Sequence, residues 1–294
     1  TCALPICFSE IYNSLSDDEK AKHESEAKKL LAAFMAVVKC INLDADVDQA
    51  LYELMELRAE LSINYLLAGL NLDVDDAMML LENLEDDSLT QQERDIRDRL
   101  VAGIDNLIEF SVCAEYQAFM ELPDEIDMDD PDNMAEYEEL SNKYHLRYAS
   151  VEHSDIEYSA GIALKWVTFY SAATVLTYMT MNDDRVRPWH RQLEGFSAPR
   201  DLFPSWMIPP IEWGCRCYLE DVYGNSVENK LPSIYNKVPQ KPKELDNVFS
   251  ESLAKCGRIF GKSHPYFNVR KEHKEKLAGY VERIKEKWYA KKVL

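Results

Sequence analysis

Apolar positions recur at helical spacing through most of the first 150 residues. Ser16, with Glu19 three positions on, has the pattern of a capping box. The chain beyond it turns from polar over 17–29 to apolar over 30–38, which predicts a helix to about Cys40. Leu51, Leu54, Leu57, Leu61, Tyr65 and Leu66 predict a second helix over about 47–70. Asn71 and the acidic residues 73–76 break it, and a short helix over 75–84 follows. Thr90 and Glu93 form a second capping-box pattern, opening a long helix to about Leu122 with Ile96, Leu100, Ile104 and Leu107 along one side. The acidic run 123–133 reads as a solvated loop; its spacing is not that of an EF-hand, and it has no glycine at the turn position. A helix over 134–148 is expected next. Another over 156–179 is apolar on most of its surface and so belongs near a domain centre. Alternation over 215–222 predicts a strand and 223–226 a turn. Prolines at 232, 239 and 242 make 229–247 an extended linker. A basic helix over 269–289 closes the pattern.

These elements give a mostly α fold with a small α+β domain. The expected division is a helical N-terminal region over 1–149, a motif domain over 150–240, and a basic C-terminal segment over 241–294 docking on the motif domain. Hydrophobic residues at 46% and charged residues at 29% are globular values and exclude a disordered chain. There is no run of about 18 apolar residues, so no membrane-spanning helix is expected. The seven cysteines are odd in number and scattered, which argues against a disulfide framework and for a reducing compartment. Cys40 and Cys113 lie in apolar helical surroundings and are expected to be buried thiols. Charge is uneven. Residues 241–294 hold 14 Lys and Arg against 7 Asp and Glu, net +7, while the first 240 hold 19 against 46, net −27. Only the tail has the sign of a phosphate binder.

The stretch 183–217, DDRVRPWHRQLEGFSAPRDLFPSWMIPPIEWGCRC, is the densest in chemically costly residues. Its order is Thr180, then Asp183 or Asp184, Arg185, Arg187, Pro188 and His190, then Leu193 and Gly195. Asp201, Phe203 and Trp206 follow, then Pro209-Pro210 and Gly214-Cys215-Arg216-Cys217. This order resembles the pattern of the phage Mu F-like family of minor head proteins, also called the phage head morphogenesis family. The resemblance runs from the helix before Thr180 onward, and residues 258–267 (RIFGKSHPYF) are similar to a tail segment of some members. It implies a minor head protein of a tailed phage or prophage, made in the host cytoplasm and carried in the virion. Portal and capsid proteins would be its partners, with a share in head assembly and DNA delivery and no enzymatic activity. Toxin-like effectors fused to some members supply the rival reading.

Two sulfurs two residues apart on a strand share a face, and Arg216 points to the other. With His190 they would offer three ligands suited to zinc. The fourth is open among Asp183, Asp184, His264 and Cys256. A two-apart spacing is tighter than usual for zinc thiolates, so the competing reading has Cys215 and Cys217 as packing residues and His190 bonded to a loop carbonyl. A third has a cysteine nucleophile with His190 as base and Asp184 as orienter, in a Cys/His enzyme. Asp183, Asp184, Arg185 and Arg187 are expected to pair as ions and fix the turn after the long helix. Trp189, Trp206 and Trp213 would cover the small core. Any DNA contact is expected to be weak and confined to 241–294, which disfavours a DNA-binding accessory protein.

Overall fold

The computed structural model of the chain describes residues 8–82, 88–221, 239–241 and 247–290. It is mostly helical with one small antiparallel sheet, the class the sequence predicts. Helix α1 (Phe8–Asn13) precedes α2 (Asp17–Asn42), α3 (Asp48–Gly69), α4 (Val74–Glu82) and α5 (Gln91–Met120). Both capping boxes form. Ser16 N donates to Glu19 Oε2 at 2.8 Å, and Thr90 N donates to Glu93 Oε2 at 2.6 Å, each reciprocated from the glutamate's backbone N–H. Helix α6 (Pro131–Ser141) starts earlier than the apolar pattern suggests, because Asp130 caps it and Pro131 suits a first turn. A π-helical segment (Asn142–Tyr148) joins it to α7 (Ala149–Thr168).

The helix expected over 156–179 is corrected. Helix α7 ends at Thr168, and Val175–Met179 is a strand, β1. Thr174 Oγ1 accepts from Ser171 N at 2.9 Å, a side-chain turn that competes with helix, and Val175 and Thr177 are β-branched. Helix α8 (Pro188–Arg191) and β2 (Ser197–Pro199) follow, then β3 (Tyr218–Asp221). The strand expected over 215–222 therefore begins three residues late; Val222, the turn over 223–226 and most of the linker over 229–247 lie outside the described residues. Helix α9 (Lys274–Ala290) starts later than 269, after 3-10 turns at Pro265–Phe267 and Lys271–His273.

The chain divides into two compact units, each assembled from separated stretches. The first draws on residues 8–65, 104–154 and 264–290, and the second on 66–103 and 155–263. The basic segment 241–294 thus contributes to both. Its helix α9 belongs to the first unit, burying Leu277, Tyr280, Ile284 and Trp288. There Lys276 pairs with Asp48, Lys285 with Asp105 at 3.1 Å and Lys287 with Glu56 at 2.6 Å.

The first unit buries Leu30, Phe34 and Val38 of α2, Leu54 and Met55 of α3, and Leu107 and Phe110 of α5. Cys113 is buried, whereas Cys40, on the last turns of α2, is only half-buried, a correction to the expected pair of buried thiols. A charged network lies within this core. Arg58, 1% exposed, donates from one terminal nitrogen to Glu115 at 2.9 Å and from the other to Glu152 at 2.7 Å. His145, set by the π-helical segment, meets Glu115 Oε2 at 3.0 Å and Ser141 Oγ at 2.7 Å. Tyr266 donates to Glu152 Oε1 at 3.0 Å. Burial alone would raise the Glu115 pKa, but His145 and Arg58 hold it below the usual carboxylate value.

The second unit carries the sheet, in order β2-β1-β3, with Thr177 of β1 opposite both Ser197 and Glu220. Thr177 Oγ1 and Ser197 Oγ are 2.8 Å apart, a cross-strand bond of the kind that pins register. Glycine is required at 69. A Cβ there would stand 2.3 Å from the Glu157 carbonyl oxygen, so α3 and α7 approach within this unit as only a missing side chain allows.

Candidate metal centre in the Cys-Arg-Cys motif

The short helix α8 and the extended run before β3 carry the motif. Pro188 opens α8 at its first position, where its missing N–H costs nothing. Arg187 and Gly214 then frame a buried cluster. His190 is 2% exposed, and Cys215 and Cys217 are buried with it. Their ligand atoms all lie within 4.8 Å of one another. His190 Nδ1 stands 3.3 Å from Cys217 Sγ and 3.8 Å from Cys215 Sγ. A tetrahedral zinc with sulfur near 2.3 Å and nitrogen near 2.0 Å would separate a sulfur from a nitrogen by about 3.5 Å, so the set is spaced as metal ligands are.

The other face of the imidazole meets Glu212, with Nε2 3.1 Å from Oε2. The same oxygen accepts from Trp189 Nε1 at 3.1 Å and pairs with Arg187 Nε at 3.0 Å. Glu212 fixes the ring so that Nδ1 faces the sulfurs, the carboxylate–histidine arrangement found behind metal-bound imidazoles. Burial is the largest influence on His190 and lowers its pKa. The hydrogen bonds to Cys215 and Glu212 outweigh burial and leave the pKa raised. Cys215 is pushed up by burial, while Cys217 is pulled down, first by the hydrogen bond from Cys215. The buried Tyr178 hydroxyl stands beside both thiols and helps to hold the Cys217 pKa down. Two sulfurs converging with an oriented imidazole fit a centre that takes a metal ion.

The residues around the cluster lock it. Asp155 of α7 accepts from Gly214 N with both oxygens, at 3.1 and 3.0 Å, and Gly214 takes a φ of +62° that other residues rarely adopt. Tyr158 donates to the Cys217 carbonyl at 2.6 Å, and Tyr170 to that of Leu219 at 3.2 Å. Asp183 pairs with Arg216 at 2.7 Å, so Arg216 is turned to the acid. Arg187 also donates to the Trp213 carbonyl at 2.7 Å. Asp184 and Arg185 are exposed, and exposed Asp201 pairs with neighbouring Arg200. Gly195, at φ +81°, makes the turn into β2. Trp213 is buried against Phe249 and Phe260, whereas Trp189 and Trp206 are half-buried.

Of the ligands singled out in the sequence, the structure brings together His190, Cys215 and Cys217. Neither Asp183 nor Asp184 is in the group, and Cys256 is exposed elsewhere in the unit. His264 belongs to the first unit, where its Nδ1 accepts from Tyr266 N at 3.1 Å and its ring packs on Phe110. Glu212, Asp155 and Tyr158 are the residues that sequence reasoning passes over. Glu212 lies inside the motif stretch and was open to detection as a carboxylate able to orient a histidine; Asp155 and Tyr158 lie in an amphipathic helix and give no signal. Cys217, His190 and Glu212 stand in the order of a nucleophile, a base and an orienter. The cleft that His190, Cys215 and Cys217 line encloses about 10 Å³, about the room of one water.

Fold and cluster define a class of module: a helix-backed, three-stranded α+β unit whose motif side chains bind one another. Residues 131–220 match the family described as Phage Mu protein F like protein, a stretch that begins before the motif. An uncharacterized protein of Methanocaldococcus jannaschii, MJ0329, is 44% identical over 45 residues, which is 15% of this chain. The chain spans 7% of the length of that curated relative. No solved structure matches.

Proposed function

We propose that this chain is a minor head protein of a tailed phage or prophage, acting near the portal in head assembly. The match over 131–220 carries the reading. The site supports it, since His190, Arg187, Glu212 and Asp155 are spent on internal bonds and leave the outer surfaces to partners. Those partners are portal and capsid proteins, and the virion is where the protein works. A contribution to DNA delivery would be weak, because Lys276, Lys285 and Lys287 of the basic tail already pair with Asp48, Asp105 and Glu56. No helix among the described residues is long and apolar enough to cross a membrane. The experiment is affinity capture of the tagged chain from phage-producing cells. Portal or major capsid protein should be recovered and identified by mass spectrometry; recovery of host metabolic enzymes alone overturns the reading.

In the same reading, His190, Cys215 and Cys217 hold a structural zinc that ties α8 to the start of β3. Purified protein should carry zinc at this centre, with X-ray absorption giving sulfur at about 2.3 Å and nitrogen at about 2.0 Å. Replacing both cysteines by serine should abolish the sulfur shell and lower the thermal midpoint, because binding energy at such a centre is folding energy. Full-length protein refolded with zinc that shows no sulfur neighbours around the metal would leave the packing role in its place.

A further inference from the structure

A second group of ligating residues lies in the first unit, away from any motif. His23 and Glu26 stand three residues apart on α2 and so share a face. His153 comes from the first turns of α7, and Tyr65 from α3. His23 Nδ1 is 3.8 Å from Glu26 Oε2, and His153 Nδ1 is 3.5 Å from the same oxygen. Tyr65 Oη is 3.3 Å from His23 Nδ1 and donates to Glu26 Oε2 at 2.9 Å. Metal–ligand bonds of about 2.0 to 2.1 Å set ligand atoms about 3.3 Å apart around a tetrahedral ion. These four separations are close to that spacing, and the ligand atoms of His23, Glu26 and His153 all lie within 4.8 Å of one another.

The second observation is His153 itself. It is 2% exposed; its Nε2 finds no hydrogen-bond partner, and its Nδ1 meets Glu26 Oε2 at 3.5 Å, longer than an ordinary hydrogen bond. An imidazole so placed loses its water contacts and gains one long carboxylate contact in exchange, an arrangement uncommon among buried polar groups. The rings of His23, Tyr65 and His153 stack, at 5.6 Å and 4.4 Å from Tyr65, which fixes their planes. Burial holds His23 at about 4, with His153 as the next influence, and lowers His153 as well, so both rings offer lone pairs at neutral pH. The charged groups around the cluster include Lys22, whose Nζ lies over the Tyr65 ring, Glu19, Arg58 and Glu152. Arg58 and Glu152 neutralise each other at 2.7 Å.

We propose that His23, Glu26, His153 and Tyr65 form a second metal site, for one zinc-class divalent ion, buried in the helical unit. Two imidazoles and a carboxylate suit zinc, and Tyr65 supplies the fourth corner. As the ion enters, the Tyr65 phenol proton leaves to solvent. The two charges of the ion are then balanced by one carboxylate and one phenolate, the condition for holding an ion out of water. The ion ties α2 to α3 and α7 by bonds that no hydrogen bond here supplies. The site stands independently of the head-protein reading and of the cysteine centre.

The test uses full-length Cys215→Ser/Cys217→Ser protein, which lacks the sulfur ligands. It is stripped by chelator, exposed to one to two equivalents of zinc, freed of excess and assayed by plasma mass spectrometry. One zinc per chain should remain, with about one proton released on binding at neutral pH. Glu26→Gln keeps the shape and the Tyr65 contact while removing the charge, so it should lose the zinc with an unchanged helical circular dichroism spectrum. His153→Gln should lose it too. Cobalt in the double-serine protein should give tetrahedral visible bands without sulfur charge transfer. A double-serine protein that keeps the helical circular dichroism spectrum of the parent yet retains no zinc, or Glu26→Gln and His153→Gln variants of it that retain theirs, would overturn the site and leave the cluster as ring packing.

Discussion

Arg58→Met will lower stability by roughly 3 to 5 kcal/mol, because it strands two carboxylates where water cannot reach them. Glu115 is fully buried and Glu152 nearly so, and each has the arginine as its ion-pair partner. Methionine fills most of the volume and adds no cavity of consequence, so the loss is electrostatic and appears as a lowered urea midpoint of the full chain. Adding Glu115→Gln and Glu152→Gln to the same protein should restore much of the loss, since an amide in place of each carboxylate carries no charge to compensate. Equal stability of the single and triple variants would mean that the carboxylates are satisfied by His145 and Tyr266 alone.

Acid will also weaken the first unit, beginning near pH 6.5. Burial, with Arg58 as the second influence, lowers His264 from its ordinary 6.5 to about 3. In the unfolded chain the ring takes a proton below 6.5; in the folded chain it stays neutral to about 3. Stability is therefore complete above 6.5 and falls as pH drops through that window, by roughly 3 kcal/mol at pH 4. The neutral ring also serves the fold, since Nδ1 accepts from Tyr266 N and caps the 3-10 turn, a role that protonation abolishes. His264→Asn keeps a capping acceptor and removes the titration. Its thermal midpoint should start lower at pH 7.5 and then fall less on acidification than that of the parent protein. His23, lowered to about 4, acts in the same direction, so the flattening is partial. A parallel fall in both proteins would show that His264 titrates normally.

The legible parts of the fold were those written in local chemistry. Ser16 with Glu19 and Thr90 with Glu93 mark the starts of α2 and α5 because capping is a contact between residues three apart. Strand β1 escapes the same reading. Val175, Leu176, Thr177 and Tyr178 continue the apolar character of α7, and a short buried strand cannot be told from buried helix by periodicity. The π-helical segment has no sequence signature, yet it sets His145 against Glu115. At the metal centre, the Cys-x-Cys spacing and an isolated histidine single out three side chains. Glu212, though inside the motif stretch, is easily passed over because carboxylates are common and its role is a distance. The His23, Glu26 and His153 cluster is hidden more deeply, since it joins helices far apart in the chain through residues that look like ordinary amphipathic-helix polar positions.

The way the first unit is assembled sets the order of events during synthesis. Tyr116 bonds His273, Gln117 bonds Tyr266 and Asp105 bonds Tyr289, pairs separated by 149 to 184 residues. Residues 8–65 and 104–154 must therefore wait on the ribosome, with Glu152 and the apolar faces of α3 and α5 uncovered, until 264–290 emerge. The second unit has all its own residues once 263 has emerged, so it can close first. Contacts of such long range slow the final step and lengthen the time that sticky helices stand open. The nascent chain is thus a natural client for chaperones, and shortening it by its last helix should cost far more soluble protein than the loss of 17 residues suggests.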